Sequence, residues 1–336
     1  MSIVTVLGRQ ILINGVIFIV KGVCYAPTPI GSSPETDPPW GDYFTVGYNE
    51  IYSRDIPLLR QMNCNTIKTY GWSGDADHTD FLDKCYNNGN SPIYVIVGFW
   101  INGGQNLSDP AVRKNINDDF IKMVGNNKDH PAILMWCVGN EMNGSWMYGN
   151  DPNWYLLLDE LASAAHNEEG ENYHPVTTAN QDINYIAQRD PGMSYLDLWC
   201  ATVYRGKTFG TFFSEYESAS SKPLVIVEFG IDAWDNNNSK EYDATQAEYA
   251  ESLWDDITGN SSVCSGGCIF EYADEWWKDK DGKKDEHDFG GYASGAQPDG
   301  FSNEEWWGIM RTVKNGNNPD VMEKREIFDA MRDKWD

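Results

Sequence analysis

The 336-residue sequence has few basic residues and no long apolar segment. Lysine and arginine number 25 against 51 aspartates and glutamates, giving a formal charge of −26. Nucleic acids and anionic membranes need basic partners, so this charge argues against either as a partner. The longest apolar run, Ile11 to Val20, is interrupted by Asn14 and Gly15 and falls short of the roughly 20 residues that span a bilayer. We expect a monomer that acts on a neutral or cationic compound.

Several motifs that carry chemistry are also missing. No Cys-x-x-Cys pair comes with partner histidines, so we do not expect a zinc site. No nucleophile elbow is present to support Ser-His-Asp catalysis. The acidic stretch Asp279 to Asp288 suggests calcium, but its glycine is the fourth residue from Asp279, whereas an EF-hand needs it at the sixth. We therefore predict a solvated loop there, no metal site and no cofactor.

Cysteines and sequons give limited information on compartment. Cys137 and Cys200 lie in apolar runs and are predicted to be packed thiols. The pairing of four others stays open at this point, namely Cys64, Cys85, Cys264 and Cys268. The start, Met-Ser-Ile-Val, does not resemble a signal peptide. Four Asn-x-Ser sequons nonetheless favour a secreted or cell-surface protein, and they begin at Asn106, Asn143, Asn237 and Asn260.

The sequence alternates short apolar runs with helical patterns. Eight such runs are predicted to be buried parallel strands: Phe18–Tyr25, Asn65–Tyr70, Ile93–Phe99, Ile133–Glu141, Pro175–Ala179, Leu198–Tyr204, Leu224–Phe229 and Gly267–Tyr272. With 41% hydrophobic residues the chain can bury a large core. Eight strand–helix alternations predict a (β/α)8 TIM barrel. An open doubly wound sheet is the alternative, but no Gly-rich phosphate loop follows the first strand.

Local signals place the boundaries of several elements. Asp109-Pro110 and Asp151-Pro152 each combine a capping residue with a proline at the first helical position. Further helices are predicted at Tyr52 to Met62, Ala244 to Ile257 and, as a closing helix, Val321 to Met331. The turn Asn14-Gly15 between two β-rich runs predicts a short N-terminal β-hairpin. We expect residues 1–336 to form a single domain, with residues 1–16 capping the barrel.

Two glutamates follow apolar strand patterns. Glu141 ends the fourth predicted strand, directly after Asn140, and Glu228 ends the seventh. A carboxylate at such a place is costly unless it is paired or functional, and the alternative to catalysis is a salt bridge or a helix cap. Retaining glycoside hydrolysis needs one protonated and one ionised carboxyl about 5–5.5 Å apart. Strands four and seven face one another across a barrel mouth, so this spacing is expected here.

Tryptophans give an independent signal, because seven of the fourteen lie in predicted strand-to-helix loops at the same end as the two carboxyls. Indole faces suit the C–H faces of pyranose rings, while loop packing is the alternative. The loop residues are Trp40, Trp72, Trp100, Trp146, Trp234, Trp276 and Trp277. Of these we predict Trp72, Trp100, Trp146, Trp234 and Trp276 as substrate-binding residues.

These features resemble the clan A glycoside hydrolases, and most closely the fungal β-1,3-glucanosyltransferases. Asn140-Glu141 and Glu228 match the clan's acid/base and nucleophile positions. Family-like segments run from about Ile17 to Tyr292 and include Phe18-Ile-Val-Lys-Gly-Val-Cys-Tyr-Ala-Pro and Ser265-Gly-Gly-Cys-Ile-Phe-Glu-Tyr272. Barrels of the β-galactosidase and β-mannosidase type share parts of this pattern.

The resemblance also implies roles and shows departures. It makes Glu141 the acid/base and Glu228 the nucleophile of a double displacement on a β-glucan, with β-1,3-linked glucan as the expected substrate. Asn140 is then expected to bind the substrate 2-hydroxyl, Tyr204 the nucleophile, and Tyr70 a sugar subsite. Lys68 stands where the clan usually has arginine. Ser53 stands where the family often has a disulfide cysteine, which leaves Cys85 without its usual partner.

Three functional alternatives stay open. The same chemistry can end in transfer to a sugar or in hydrolysis, and the sequence does not decide between them. The substrate could instead be that of a β-mannosidase or β-galactosidase type of clan A hydrolase. A catalytically dead glycan-binding barrel would keep the tryptophans but has no need for both carboxyls. The expected partner in each case is an oligosaccharide or polysaccharide.

Overall fold

The computed structural model describes residues 2–278, 282–289, 291–316 and 319–336. The strands, in chain order, are β1 (Val4–Leu7), β2 (Gln10–Ile13), β3 (Val16–Phe18), β4 (Val20–Cys24), β5 (Thr66–Lys68), β6 (Tyr94–Phe99), β7 (Ile133–Asn140), β8 (Val176–Gln181), β9 (Trp199–Thr202), β10 (Leu224–Phe229), β11 (Trp234–Asp235), β12 (Lys240–Glu241), β13 (Cys264–Ile269), β14 (Tyr292–Ala293), β15 (Phe301–Ser302), β16 (Met310–Val313) and β17 (Val321–Lys324). The helices are α1 (Asn49–Gln61), α2 (Thr79–Tyr86), α3 (Pro110–Asn127), α4 (Pro152–Glu169), α5 (Ile186–Arg189), α6 (Phe212–Ala219), α7 (Asp243–Gly259) and α8 (Glu326–Trp335).

Eight parallel strands close into a barrel in the order β10-β13-β4-β5-β6-β7-β8-β9. All eight predicted apolar runs contribute one strand each, so the (β/α)8 prediction is confirmed. The strands are buried on both faces, as the continuous apolar pattern indicates. In β10, Leu224 and Ile226 pack outward toward the helices, and Val225 and Val227 pack into the barrel.

The predicted helix starts match the structure where a capping side chain is present. Asp109 accepts a hydrogen bond from the backbone N–H of Ala111 and caps α3. Asp151 does the same for α4 through Asn153. In each case the proline lies where no intrahelical N–H partner is needed. These caps fix the helices that follow β6 and β7.

The predicted closing helix at Val321 to Met331 is wrong in its first half. Residues Val321–Lys324 form β17, which pairs antiparallel with β16, and the helix begins only at Glu326. Arg325 lies between the two elements. Its side chain is buried and forms a bidentate ion pair with Asp274. Tertiary contacts therefore override the helical periodicity at this point.

The N-terminal hairpin is part of a larger sheet than predicted. Asn14 and Gly15 both have positive φ and connect β2 to β3, as the turn signal predicts. A further strand, β1, pairs with β2 and makes a three-stranded antiparallel sheet. Ile11 is 0% exposed and shares a cluster with Leu134 and Leu198, which lie at the starts of barrel strands. The sheet thus packs against the starts of two barrel strands.

Two further observations concern cysteines and membranes. All seven cysteines are buried free thiols, so Cys64, Cys85, Cys264 and Cys268 form no disulfide in this structure. Within the described ranges, no helix has the length and apolarity that a transmembrane segment requires.

Candidate active site

Glu228 lies in β10 and is 5% exposed, with three donors directed at its carboxylate. Lys68 Nζ and Tyr70 OH each donate to Oε1 at 2.6 Å. Tyr204 OH donates to Oε2 at 3.0 Å, the partner that the sequence analysis predicts for it. Each donor lies at or just beyond the carboxyl end of a barrel strand. We call this end of the barrel the mouth.

Irregular strand pairing directs the polar side chains into the mouth. The register between β10 and β9 shifts between Ile226 and Glu228, and that between β7 and β8 shifts between Cys137 and Asn140. An extra residue on one strand rotates the following side chain, so an inward valine can be followed by an inward glutamate. Glu228 consequently pairs with Thr202 of β9.

Lys68 links the nucleophile candidate to the end of β7. Its side chain is buried, and its ammonium also donates to Asn140 Oδ1 at 2.8 Å. Burial alone would raise the pKa of Glu228, but the Lys68 charge, together with the hydrogen bonds from Lys68, Tyr70 and Tyr204, lowers it below its usual value. Glu228 is therefore ionised at neutral pH.

Glu141 follows β7 in a different environment. Its backbone has φ 50°, a left-handed conformation held by hydrogen bonds from Glu141 N to Ala179 O and from Gly144 N to Glu141 O, both 2.8 Å. Thr202 Oγ1 donates to Glu141 Oε1 at 2.5 Å. Burial, followed by the negative charge of Glu228, raises the pKa of Glu141 to about 7. Glu141 is therefore largely protonated below neutral pH.

Gly139 is required for the turn that delivers Glu141. Its φ is 67°, a conformation that side-chain-bearing residues rarely adopt, and a Cβ there would lie 2.4 Å from Met142 Cγ. The Gly139-Asn140-Glu141 segment thus owes its path to both backbone freedom and close packing. Substitution at Gly139 would displace both of the polar residues that follow it.

The arrangement supplies an ionised carboxylate and a protonated carboxyl at one mouth. Such a pair suits acid-assisted displacement at an acetal carbon. In the part of the chain that the structure describes, no three His, Cys, Asp or Glu side chains are grouped to hold a metal ion. Asp279 and Asp281 of the acidic stretch lie outside the described residues.

Comparison with known proteins identifies the barrel. A family model described as "Glycosyl hydrolases family 2, TIM barrel domain" matches residues 4–257. The chain belongs to this family. The curated relatives include a 1,3-beta-glucanosyltransferase of Saccharomyces cerevisiae, 22% identical over 78% of this chain and 54% of the relative. A beta-glucuronidase of Sus scrofa is 24% identical over 68% of this chain and 33% of the relative.

Solved structures agree on the fold. A Ruminococcus gnavus beta-glucuronidase superimposes with a TM-score of 0.69 at 16% identity, covering 100% of this chain and 54% of the other. A family 2 beta-galacturonidase from Eisenbergiella tayi gives 0.67 at 17% identity, covering 99% and 54%. The chain spans about half the length of the first relatives and structures that it matches. The expected resemblance to clan A enzymes and to fungal glucanosyltransferases is confirmed at the level of family and fold.

In this family 2 barrel the predicted tryptophans fall into two groups. Trp100 and Trp146 are 52% and 61% exposed. Trp72 is 8% exposed and stacks on His78 with ring centroids 3.9 Å apart, so the structure places it in the packed core. Trp234 packs against Trp306, and Trp276 stacks against His287. Both belong to a continuous row of rings: Phe289, Trp234, Trp306, His287 and Trp276.

A small open cleft lies at the mouth of the family 2 barrel, next to the residues that contact Glu228. Its lining includes Lys68, Tyr70, Asn140 and Trp100. The structure thus brings Trp100 to the same cleft as the polar residues. Trp72 is instead part of the main hydrophobic core cluster.

Sequence reasoning did not identify two polar residues of the mouth. Thr202 contacts Glu141, and its position two residues before Tyr204 in the same predicted run, Leu198–Tyr204, was an available signal. Glu271 follows β13 and is fully buried; burial, with the neighbouring Glu275 adding to it, raises its pKa well above the usual range. A carboxyl two residues past the eighth strand was visible in the sequence, although the apolar run around it suggested only core packing.

Proposed function

We propose that the chain is a retaining β-glycosidase or transglycosylase that acts on a β-glucan, with β-1,3-linked glucan as the favoured substrate. The observation that carries this proposal is the unequal surroundings of two carboxyls at one mouth: three donors hold the Glu228 carboxylate, and one hydroxyl holds the Glu141 carboxyl. This difference accounts for a lowered pKa at Glu228 and a raised pKa at Glu141. The family 2 membership and the name of the yeast glucanosyltransferase support the reaction class and the substrate class.

In the first step Glu228 attacks the anomeric carbon, and the bond to the leaving oxygen breaks. Glu141 transfers its proton to that oxygen, so the leaving sugar departs as a neutral alcohol and a glycosyl ester forms on Glu228. The carboxylate charge of Glu228 disappears in this ester. Because that charge helps to raise the pKa of Glu141, the pKa falls and Glu141 can serve as a base.

In the second step Glu141 removes a proton from water or from a sugar hydroxyl. The resulting oxygen nucleophile attacks the anomeric carbon and restores ionised Glu228. Two inversions give net retention. Asn140 accepts a hydrogen bond from Lys68 through Oδ1, which leaves its amide N–H groups to donate to the substrate 2-hydroxyl.

The substrate is proposed to be neutral, although the structural neighbours include β-glucuronidases and β-galacturonidases. Two lysines of the mouth region are already neutralised by carboxylates: Lys68 contacts Glu228 at 2.6 Å, and Lys278 contacts Glu275 at 2.5 Å. Lys278 also lies 3.6 Å from Glu304. A uronate carboxylate would have to compete with these groups for either lysine.

The test is incubation with laminarin, other β-glucans and aryl β-glucuronides, with the products resolved by size over time. Products longer than the substrate indicate transfer, and only shorter products indicate hydrolysis. NMR of the first-formed sugar reports its anomeric configuration. An α-configured first product contradicts retention, and turnover of the glucuronide but not of the glucans contradicts the neutral substrate.

A secreted or cell-surface location is part of the proposal. Asn106 and Asn237 are exposed and Asn260 is partly exposed, as glycosylation requires. Asn143 is buried and exchanges hydrogen bonds with Gln181, so that sequon is not accessible in the folded chain. Expression in a eukaryotic secretory host should give glycans at Asn237 and none at Asn143, as measured by peptide mass spectrometry.

A further inference from the structure

Thr202 is the last residue of β9 and is 2% exposed. Its hydroxyl donates to Glu141 Oε1 at 2.5 Å. Among the described residues, no other group hydrogen-bonds the Glu141 carboxyl, whereas Glu228 receives three donors. The acid/base candidate is thus held by one contact, made through one of its two oxygens.

That contact distinguishes the two oxygens chemically. A hydroxyl has a single hydrogen, and the other acceptor near Thr202 Oγ1, Asn180 O, is at 3.5 Å. With the hydrogen directed at Oε1, that oxygen acts as an acceptor in both protonation states of Glu141. A proton carried by Glu141 then resides on Oε2, to which no described residue donates a hydrogen bond.

We propose that Thr202 is a positioning residue for the acid/base, which fixes Oε1 as the anchored oxygen of Glu141 and leaves Oε2 to exchange the proton with the substrate. The inference rests on the proposed double displacement. The strand pairing supports it, because Thr202 is in register with Glu228 on the adjacent strand. The pairing of Thr202 with Glu228, together with the hydrogen bond from Thr202 to Glu141, therefore sets the position of the acid/base relative to the nucleophile.

The hydroxyl also affects when Glu141 gives up its proton. Donation to Oε1 stabilises the carboxylate and partly offsets the effect of burial on the Glu141 pKa. Without the hydroxyl this pKa should rise further. Glu141 would then stay protonated to higher pH in the first step and would be a poorer base in the second.

The experiment compares the full chain with Thr202→Val, which keeps the shape, and Thr202→Ser, which keeps the hydroxyl. Thr177→Val is the matched control, since Thr177 is a buried threonine of the neighbouring β8 whose hydroxyl donates to the backbone oxygens of Thr178 and Leu198. Aryl β-glycosides with good leaving groups are assayed across pH. If the valine variant does not fold, Thr202→Cys, a weak donor, replaces it with the same expected direction.

We expect Thr202→Val to move the alkaline limb of kcat/KM up by about one pH unit, the scale of one hydrogen bond to a charged group. At about pH 5, kcat and KM should fall together by up to about tenfold, because the glycosyl-enzyme accumulates. Thr202→Ser should restore both parameters, and Thr177→Val should change neither. The proposal is overturned if Thr202→Val keeps the wild-type pH dependence of kcat/KM and the wild-type kcat. It is also overturned if Thr202→Ser does not restore these parameters.

A measurement independent of turnover separates this inference from the proposed function. Titration of the Glu141 carboxyl by ¹³C NMR, assigned with Glu141→Gln, should show a higher pKa in Thr202→Val than in the wild type. If the wild type turns over no β-glycoside, the proposed function fails while this titration still tests the contact. An unchanged Glu141 pKa in Thr202→Val overturns the inference even if the enzyme is active.

Discussion

The surroundings of Glu228 and of Glu141 differ although both side chains are largely removed from water. Glu228 is enclosed by a cation and two phenols, with three hydrogen bonds of 2.6 to 3.0 Å. Glu141 has one hydroxyl and a negatively charged neighbour. Burial raises both pKa values, but only at Glu228 do the surrounding donors outweigh it.

The difference shows how the pKa of one residue type is shifted in opposite directions within one mouth. Each donor around Glu228 stabilises the charged form, and that charge then disfavours a second charge on Glu141. The two groups therefore titrate as a coupled pair, and the pH dependence of kcat/KM should be bell-shaped with apparent values that belong to the pair. The following variants alter one environment at a time.

The largest expected effect comes from Glu228→Gln, which removes the charge and keeps the shape. Activity on laminarin should fall by at least about 10⁴-fold, on the scale of losing one member of a catalytic unit. Circular dichroism and urea unfolding should still show a cooperatively folded barrel. Substantial residual turnover in a folded Glu228→Gln variant would remove Glu228 as the nucleophile.

Glu141→Ala should lose about 10²–10⁴-fold on substrates with poor leaving groups, the range that general acid catalysis contributes. Substrates with good leaving groups need little protonation and should still be cleaved. Added azide should rescue the second step, because a small anion needs no base and fits the vacated space. The product should be a β-glycosyl azide.

The azide experiment also tests the assignment of roles. An α-glycosyl azide from Glu141→Ala, or rescue seen only with Glu228→Ala, would show that the two carboxyls have been assigned the wrong way round. Product configuration is read from the anomeric proton coupling by NMR.

Lys68→Met tests whether the cation makes the two environments different. Truncating one partner of a buried ion pair costs about 3–5 kcal/mol of stability, and it should raise the pKa of Glu228. The acid limb of kcat/KM should therefore move to higher pH, and activity at neutral pH should fall. Lys68→Arg keeps the charge and serves as the control. An unchanged acid limb in Lys68→Met would show that Tyr70 and Tyr204 suffice to keep Glu228 ionised.

The raised pKa of Glu141 makes the stability of the folded chain depend on pH. Its pKa is about 7 in the folded chain and lower when unfolded, so the unfolded chain loses this proton first as pH rises. Stability contributed by the protonated carboxyl is therefore lost between about pH 4.5 and pH 7. Glu141→Gln should gain up to about 3 kcal/mol over the wild type between pH 4 and pH 8, measured by urea unfolding.

Glu228→Gln provides the contrast in sign. The pKa of Glu228 is lowered on folding, so its contribution to stability is present above the unfolded pKa and is lost as the pH falls through the folded one. Relative to the wild type, this variant should lose stability between low and neutral pH, whereas Glu141→Gln should gain it. The same slope for both variants would contradict the opposite protonation states.

Much of this framework follows from the sequence because it depends on local patterns. Continuous apolar runs predict buried parallel strands, and carboxyl ends of such strands must meet at one edge of the barrel. That geometry brings Lys68, Tyr204 and Glu228 together without knowledge of the loops. Their catalytic roles stay predictions that the variants above test.

Contacts between distant segments could not be predicted in the same way. Trp72 has an indole ring of the kind that binds sugars and lies in a predicted loop. In the structure it stacks on His78, which is hydrogen-bonded to Asp42 across the loop. Residues Val321–Lys324 have helical periodicity, but pairing with β16 makes them a strand. The partner in each case depends on the path of a loop, which residue spacing does not specify.

The smallest expected effect comes from Tyr204→Phe, which removes one of three donors to Glu228. Its hydrogen bond is the longest of the three, at 3.0 Å against 2.6 Å for the other two. Losing it should raise the pKa of Glu228 slightly and lower kcat/KM by about tenfold, the scale of one hydrogen bond to a charged group. Tyr70→Phe, which removes a shorter contact to the other oxygen, should cost more. Both phenyl rings keep their packing, Tyr204 against Trp307 and Tyr70 against Phe270, so unfolding in urea should change little. A larger loss in Tyr204→Phe than in Lys68→Met would mean that the phenols, and not the cation, distinguish Glu228 from Glu141.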